Sequence, residues 1–532
     1  MSLVRSARLL SNRWGVLAAG AGAGLAAGLA HPPFGALAGL LGFAALMMLV
    51  DRADAARPLR SAFFRGWAGG LGYFAIGVWW VTEAFLVEPE VHGWMAPFAL
   101  LLLSGGLALF FGLAALAYRA SRAQGPWRVL VFAGAVAALE WTRGHIFTGF
   151  PWNLPGEAWR AGGLPSQAAS LVGAYGLTWI TVAIAAAPAT LFDKGRRWAR
   201  NLPVAIALAA LAGLYGFGAA RLAGAAEDAA ADAPLVRIVQ ADIDQKDKWR
   251  PENLPQIFAD YLRLTTAPGP AEPQVVVWPE GALPAVIDDL LAPGSPYGPA
   301  LAAALRPGQV LLMGANAMGV RPDGEIDYFN SLVALARRPE GLTYAGRYDK
   351  HTLVPFGEYL PLGELATQLG IRSLVHMPED FTAGPPPRPL SVAGLPAVQP
   401  LICYEALFPR ITVRAAARAG RRPEWILNVS NDAWFGVTSG PLQHLNLASY
   451  RSIEEGLPML RSTPTGVSAA IDAYGRILPG RRLELGEAGV VDVRLPAALE
   501  PTLYSRFGEA TLLVMLAISA LAAGLARPRR TC

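Results

Sequence analysis

The sequence predicts an α-helical membrane bundle of eight transmembrane helices that carries one α/β domain. Two observations predict it. First, the 532 residues are 53% hydrophobic and 16% charged, with mean hydropathy +0.34, whereas a soluble globular chain carries about 25% charged residues. The deficit is confined to residues 1–220 and to the tail from 508; residues 227–505 have the composition of a soluble domain. Second, within that soluble stretch, strand-like apolar runs alternate with helix-like segments.

Crossing the hydrocarbon core takes roughly 20 apolar residues in a helix. Candidate spans lie at 13–30, 34–50, 64–87, 94–118, 127–142, 167–192, 201–220 and 508–526, the second being the shortest. The first span could instead be a signal peptide ending in "AGLA". Against that, another apolar span begins a few residues later and no soluble domain follows it. The glycine-rich "GAGAGLAAGLA" has no preceding strand, so it predicts close helix packing and no phosphate-binding loop.

Basic residues set the expected orientation. Arg5, Arg8 and Arg13 precede the first span, and Arg52, Arg57, Arg60 and Arg65 lie between the second and third. Arg119, Arg122 and Arg128 separate the fourth and fifth, Lys194, Arg196, Arg197 and Arg200 the sixth and seventh, and Arg527, Arg529 and Arg530 end the chain. The alternate loops are poor in Lys and Arg. By the positive-inside rule both termini are expected to be cytoplasmic and the soluble domain to lie on the opposite side, in a bacterium the periplasm or cell exterior. The expected division is 1–220 for spans one to seven, 221–507 for the domain, and 508–532 for span eight and its tail. The net charge of +5 then reflects topology, and no basic-aromatic stripe for nucleic acid is present.

Topology isolates the two cysteines. Cys403 falls outside and Cys532 inside, so they cannot pair within one chain, and a lone thiol in an oxidising compartment is either buried and inert or kept for its reactivity. Strands are expected at 235–243, 274–280, 309–317, 329–336, 398–405, 424–432 and 466–472, with helices near 252–265, 298–305, 409–419 and 441–456. This alternation implies sheets covered by helices, and in such folds ligands gather beyond the carboxyl ends of strands. Glu280 ends one expected strand, Cys403 another, and Asn431 and Asp432 a third. The six histidines are scattered, which leaves no metal set. There is no P-loop or dinucleotide fingerprint, so no cofactor is expected.

"VVVWPEGALP", "RYDKHTLVPFGEYLP" and "LICYEALFP" resemble, in order, the Glu, Lys and Cys motifs of the nitrilase superfamily. "TGFPWNLPG", "NVSNDAWFG", "GPLQHL" and "LRSTPTGVSA" are similar to blocks of its membrane branch, the apolipoprotein N-acyltransferase family. The chain departs from that pattern after "LRST", where Pro464 and Thr465 replace an expected Asn-containing turn. The resemblance implies a nitrilase-like α-β-β-α sandwich and a catalytic triad of Glu280, Lys350 and Cys403. Glu280 would act as general base, Lys350 as the fixed positive charge and Cys403 as the nucleophile. Glu358 would support the triad, the Tyr404 backbone N–H would help form an oxyanion hole, and Glu405 would order the nucleophile loop. Trp249, Asn431, Trp434 and Phe435 would line the substrate pocket. The implied reaction moves an acyl chain from a phospholipid donor, by the resemblance the sn-1 chain of phosphatidylethanolamine, to the N-terminal amine of a diacylglyceryl-cysteine apolipoprotein. It would run through a Cys403 thioester at the bacterial inner membrane. The alternatives are a membrane-bound amidase using water as acceptor, and a non-enzymatic receptor that merely retains the fold.

Overall fold

The computed structural model describes residues 12–225, 229–361, 363 and 380–526. Arg5, Arg8, Arg527, Arg529, Arg530 and Cys532, used above, lie outside the described residues. The chain divides into two compact units, Met1–Ala225 with Thr502–Cys532, and Ala226–Pro501.

In the first unit, helices Arg13–Gly28, Gly42–Asp51, Pro58–Gly77, Ala96–Ser121, Arg128–Arg143, Ala169–Ala186, Arg197–Ala223 and Ala510–Leu525 fall where apolar spans were expected. Among the described residues, three apolar stretches are long enough to cross a membrane: Pro89–Ser121, Pro165–Phe192 and Arg197–Ala223. Of the remainder, Arg13–Gly28, Gly42–Asp51, Arg128–Arg143 and Ala510–Leu525 are shorter. The second expected span is a ten-residue helix preceded by the 3₁₀ turn Leu37–Leu41. The third ends at Gly77 and continues as the 3₁₀ segment Trp79–Leu86. Small residues let helices Arg13–Gly28 and Pro58–Gly77 approach closely: a Cβ on Gly24 would lie 1.7 Å from the Gly69 carbonyl oxygen. The "TGFPWNLPG" block is tied down by buried polar bonds. Tyr73 donates to the Asn153 carbonyl (2.8 Å) and Asn153 to the Gly77 carbonyl (3.1 Å). Arg143, buried with Glu140, donates to the Phe150 carbonyl.

The second unit holds two sheets. Strands β1 (Leu235–Gln240), β2 (Val275–Trp278), β3 (Val310–Val320), β4 (Ile326–Arg338), β5 (Gly341–Asp349) and β11 (Gly489–Arg494) form one, in the order β11-β1-β2-β3-β4-β5. Strands β6 (Val398–Ile402), β7 (Trp425–Val429), β8 (Met459–Ser462), β9 (Ser468–Ile471) and β10 (Ile477–Leu483) form the other, in the order β10-β9-β8-β7-β6. The segments β1-β2-β3 and β6-β7-β8 are parallel and the remaining pairings antiparallel.

The period-2 alternation of strand side chains builds a layered core. Val236, Ile238, Val275, Val277, Val310 and Leu312 share one apolar cluster with Ile402, Trp425, Leu427, Val429 and Leu460, so the two sheets pack face to face. The opposite face of the first sheet, with Val276, Trp278, Leu311 and Met313, is covered by Phe258 and Tyr261 of helix Leu254–Thr265 and Leu301 of helix Tyr297–Ala304. The opposite face of the second sheet, with Leu401, Ile426 and Met459, is covered by Ile411 of helix Ile411–Ala419 and by Leu445 and Ala448 of helix Gly440–Glu455. The layers run helix, sheet, sheet, helix. Each fully buried Val, Leu or Ile stabilises this core by about 1.5–3 kcal/mol.

Several strand limits differ from the sequence reading. The strand expected at 235–243 stops at Gln240 because Asp242 takes a positive φ of 55°. The one expected at 398–405 stops at Ile402, and Cys403 opens the 3₁₀ turn Cys403–Leu407. The Pro464-Thr465 turn is anchored through its carbonyls, Pro464 accepting from the Asp242 N–H (2.7 Å) and Thr465 from the Gly486 N–H (2.9 Å).

Candidate active site

Three ionisable or nucleophilic side chains meet where strands end. Glu280 follows β2 by two residues, Lys350 follows β5 by one, and Cys403 follows β6 by one. Since β5 returns antiparallel to β4, it runs in the same direction as β3, so β2 and β5 present their carboxyl ends on the same edge. Gly314 on β3 permits the Glu280 turn to sit there: a Cβ at 314 would lie 2.3 Å from the Pro279 carbonyl oxygen and 2.5 Å from the Glu280 Cα.

Lys350 is the hub. Its residue is 1% exposed, and Nζ lies 2.9 Å from Glu358 Oε1 and 3.3 Å from Glu280 Oε1. Asn330 of β4 bridges the same two carboxylates, its Nδ2 donating to Glu280 Oε1 (2.7 Å) and Glu358 Oε1 (2.8 Å). The Asn431 backbone N–H donates to Glu280 Oε2 at 2.5 Å, and Val354 N–H donates to Glu358 Oε2 at 2.8 Å. Burial opposes the Lys350 charge, but the Glu358 and Glu280 carboxylates outweigh it and hold the ammonium above the ordinary lysine range.

Cys403 takes a left-handed φ of 47°. Such a conformation costs a non-glycine residue on the order of 1–3 kcal/mol and persists only when surroundings over-determine it. The surroundings here are buried polar groups. Glu405, fully buried, accepts at Oε1 from His351 N–H (2.9 Å) and Thr352 N–H (3.2 Å), and at Oε2 from Ile402 N–H (2.9 Å). The Tyr348 hydroxyl donates to both of its oxygens, at 2.9 and 3.0 Å. One carboxylate therefore ties the Lys350 loop to the nucleophile turn. On the other side, His444 Nε2 lies 3.3 Å from the Cys403 carbonyl oxygen and Nδ1 lies 2.9 Å from Asp432 Oδ1. Arg461 Nη2 donates to Asp432 Oδ2 at 2.5 Å. Although burial opposes its charge, Arg461 and His444 hold the Asp432 carboxyl well below the usual range.

Burial pushes the Cys403 thiol well above its ordinary value, and the neighbouring Glu280 carboxylate pushes the same way; Lys350 pulls it back only in part. The resting pair is a neutral thiol beside an acceptor for its proton. Such a pair can deliver a thiolate at the moment of attack, with a fixed cation close by for the negative charge that develops.

Of the residues expected to support the triad, Glu358 joins it directly, Glu405 shapes the two loops, and Tyr404 is buried edge-to-face on Phe408 (5.1 Å). Among the expected pocket residues, Asn431 contacts Glu280 through its backbone, and its Nδ2 donates to Gln245 Oε1 at 3.1 Å. Trp434 and Phe435 are half-buried in the 3₁₀ turn Asp432–Phe435, and Phe435 packs edge-on against His444 (5.8 Å). Trp249 is half-buried at the end of the short helix Gln245–Lys248. Sequence reasoning missed Asn330, which lies inside an antiparallel strand and carries no strand-end signal. It also missed Lys248, the residue before Trp249.

The description of the apolipoprotein N-acyltransferase N-terminal domain matches residues 23–187, and that of carbon-nitrogen hydrolase matches residues 235–501. An apolipoprotein N-acyltransferase of Caulobacter vibrioides is 54% identical over 95% of this chain and 93% of its own length. One from Brucella melitensis is 39% identical over 97% of both chains, and one from Rhodopseudomonas palustris 38% over 93% of this chain and 92% of its own. Two family descriptions thus match successive regions of the chain, the site lies within the second, and the relatives align over nearly the whole length: the chain belongs to the apolipoprotein N-acyltransferase family.

Proposed function

We propose that this protein transfers a fatty acyl chain from a membrane phospholipid to the free N-terminal amine of a diacylglyceryl-cysteine apolipoprotein. The carrying observation is that Glu280, Lys350 and Cys403, from three separate strand ends, meet at one site in which Glu280 and Lys350 are buried and Cys403 is half-buried. In this reading Cys403 Sγ attacks the donor ester carbonyl while Glu280 takes the thiol proton. Lys350 and the Tyr404 N–H stabilise the tetrahedral oxyanion. Collapse breaks the ester C–O bond, Glu280 returns its proton to the departing oxygen, and a lysophospholipid leaves behind a thioester. The acceptor amine then attacks the thioester; Glu280 takes a proton from nitrogen and returns it to the departing thiolate. Glu358, with Asn330, fixes Lys350 and Glu280 in relation to each other. Trp249, Asn431, Trp434 and Phe435 form pocket wall.

The finer assignments belong to the same reading. The donor would be phosphatidylethanolamine, giving its sn-1 chain. The protein would span the bacterial inner membrane eight times, with residues 1–220 supplying seven spans and 508–532 the eighth and a cytoplasmic tail. Residues 221–507 would form the periplasmic catalytic domain. Membrane anchoring suits a reaction whose two substrates are both lipid-borne.

Mass spectrometry of purified protein incubated with phosphatidylethanolamine alone tests this. It should find an acyl adduct on Cys403, with about one lysophospholipid released per site before turnover stalls, as a covalent two-step mechanism requires. Hydroxylamine should remove the adduct, and a diacylglyceryl peptide with a free N-terminus should restart release where an N-acetylated one does not. Continuous release of free fatty acid without acceptor would instead identify a hydrolase.

A further inference from the structure

A second lysine lies beside the proposed base. Lys248 ends the short helix Gln245–Lys248, and its residue is 2% exposed. Its ammonium sits so close to the Glu280 turn that a Cβ on Gly281 would lie 3.3 Å from Nζ. Gly281 has φ +51°, which lets the chain turn there directly after Glu280. The ammonium also lies over the Trp249 ring, 5.6 Å from its centroid. Among the described residues it makes no hydrogen bond or ion pair, and the charged group it feels is Glu280.

Charge balance gives this placement meaning. Lys350 pairs directly with two carboxylates, Glu280 and Glu358, at 3.3 and 2.9 Å, and its charge also reaches the buried Glu405. With a neutral Cys403 the cluster of three carries one excess negative charge in a buried place, where uncompensated charge is costly. Lys248 places a second cation beside Glu280 against that excess. Lys350 bonds both carboxylates, so its effect is divided between them, whereas Lys248 acts on Glu280.

We propose that Lys248 is a positioning residue that keeps Glu280 ionised and so available to take the Cys403 proton, a role that rests on the acyl-transfer reading above. An opposite charge near a carboxylate favours its charged form. The groups facing Glu280 are Lys350 from the end of β5, the Asn330 amide from β4, the Asn431 N–H beyond β7, Cys403, and Lys248; Glu358 acts through the shared Lys350 and Asn330. Lys248 is faced by Glu280 and the Trp249 ring. Burial lowers the Lys248 pKa to about 8 against the pull of Glu280, so the ammonium keeps its charge through neutral pH and loses it on the alkaline side.

The test is the pH profile of two reactions of the full-length protein in detergent micelles. One is alkylation of Cys403 by iodoacetamide without substrate; the other is kcat/KM for transfer from phosphatidylethanolamine to a diacylglyceryl peptide. Both have an acid limb where the Glu280–Cys403 pair takes up a second proton. K248M should move that limb to higher pH by about one unit, a roughly tenfold loss of rate at a fixed pH below it. K248R, which keeps the charge, should leave the limb in place even if it lowers the plateau. In an E280Q background, K248M should produce no further shift. An unmoved limb in K248M overturns the proposal, and so does loss of the cooperative thermal transition in both K248M and K248Q, which would make Lys248 a structural cation. If the wild type alkylates with the expected limb but transfers no acyl chain, the functional reading fails while the role of Lys248 is still decided by the alkylation arm.

Discussion

Cys403 is held as a thiol by the same carboxylate proposed to ionise it. Burial first, and then the Glu280 charge, raise its pKa, while Lys350 offsets part of the rise. Two protons are therefore linked, and the steps belong to the pair rather than to either residue. Replacing Glu280 by Gln separates the two effects. Turnover should fall by about 10²–10⁴-fold, the usual contribution of a positioned base. At the same time the acid limb of Cys403 alkylation should vanish, and the remaining thiol step should move to lower pH. The sign follows because a neutral amide no longer disfavours the thiolate, whereas Lys350 still favours it. Wild-type acylation rates in E280Q, or a thiol step displaced upward, would rule out the base assignment and direct attention to Glu358. Serine at 403 supplies no comparable nucleophile, because its hydroxyl ionises far above a thiol, so C403S should show neither adduct nor turnover.

The elements matter here because each carries one reactive group to its end, and Glu405 is what locks two of those ends together. Its carboxylate takes backbone N–H bonds from Ile402, His351 and Thr352 and a hydroxyl bond from Tyr348. Burial raises the Glu405 pKa, and those backbone bonds work against the rise. Glu405→Ala would leave buried donors unsatisfied at about 1–3 kcal/mol each. It should lower the thermal midpoint and cut kcat far more than it changes KM for either substrate. Glu405→Gln keeps one acceptor oxygen and should recover part of both losses; no difference between the Ala and Gln variants would show that the cavity, and not the lost bonds, is responsible. The sequence made the ends of β2 and β6 legible because apolar runs, "VVVW" and "VQPLI", lead straight into Glu280 and Cys403. It hid β5, whose burial is partial along most of "GLTYAGRYD", so that Lys350 read as part of a polar run. It also hid β10, with "PGRR" at its centre, and β8, where buried Arg461 is neutralised by Asp432. Strands whose polar residues are satisfied by distant partners carry no local signal, and the same holds for Asn330, whose two carboxylate partners are 50 and 28 residues away along the chain.

For the whole molecule, the proposal that a hydrolase-type domain performs lipid transfer depends on which side of the membrane that domain occupies. Three stretches, Pro89–Ser121, Pro165–Phe192 and Arg197–Ala223, are long and apolar enough to cross. The last ends just before the domain that begins with Ala226. A 27-residue helix rises about 40 Å at 1.5 Å per residue, which exceeds a hydrocarbon core of roughly 30 Å. The side on which it emerges is then fixed by its flanks. Lys194, Arg196, Arg197 and Arg200 cluster at its start, whereas Arg221 is the basic residue of its last turn. Basic residues are retained in the cytoplasm, so this helix should enter there and release the domain on the outer side. A reporter that is active only outside the cytoplasm should be active when fused after Pro234 and silent when fused after Arg197. Substituting the four basic residues at 194, 196, 197 and 200 by Gln should weaken that contrast without touching any residue of the site. If the reporter signals were reversed in the unmodified protein, the orientation would be inverted. The catalytic domain would then face the cytoplasm, away from any apolipoprotein already carried across the membrane, and the proposed acceptor would have to be abandoned even with the Glu280–Lys350–Cys403 geometry intact.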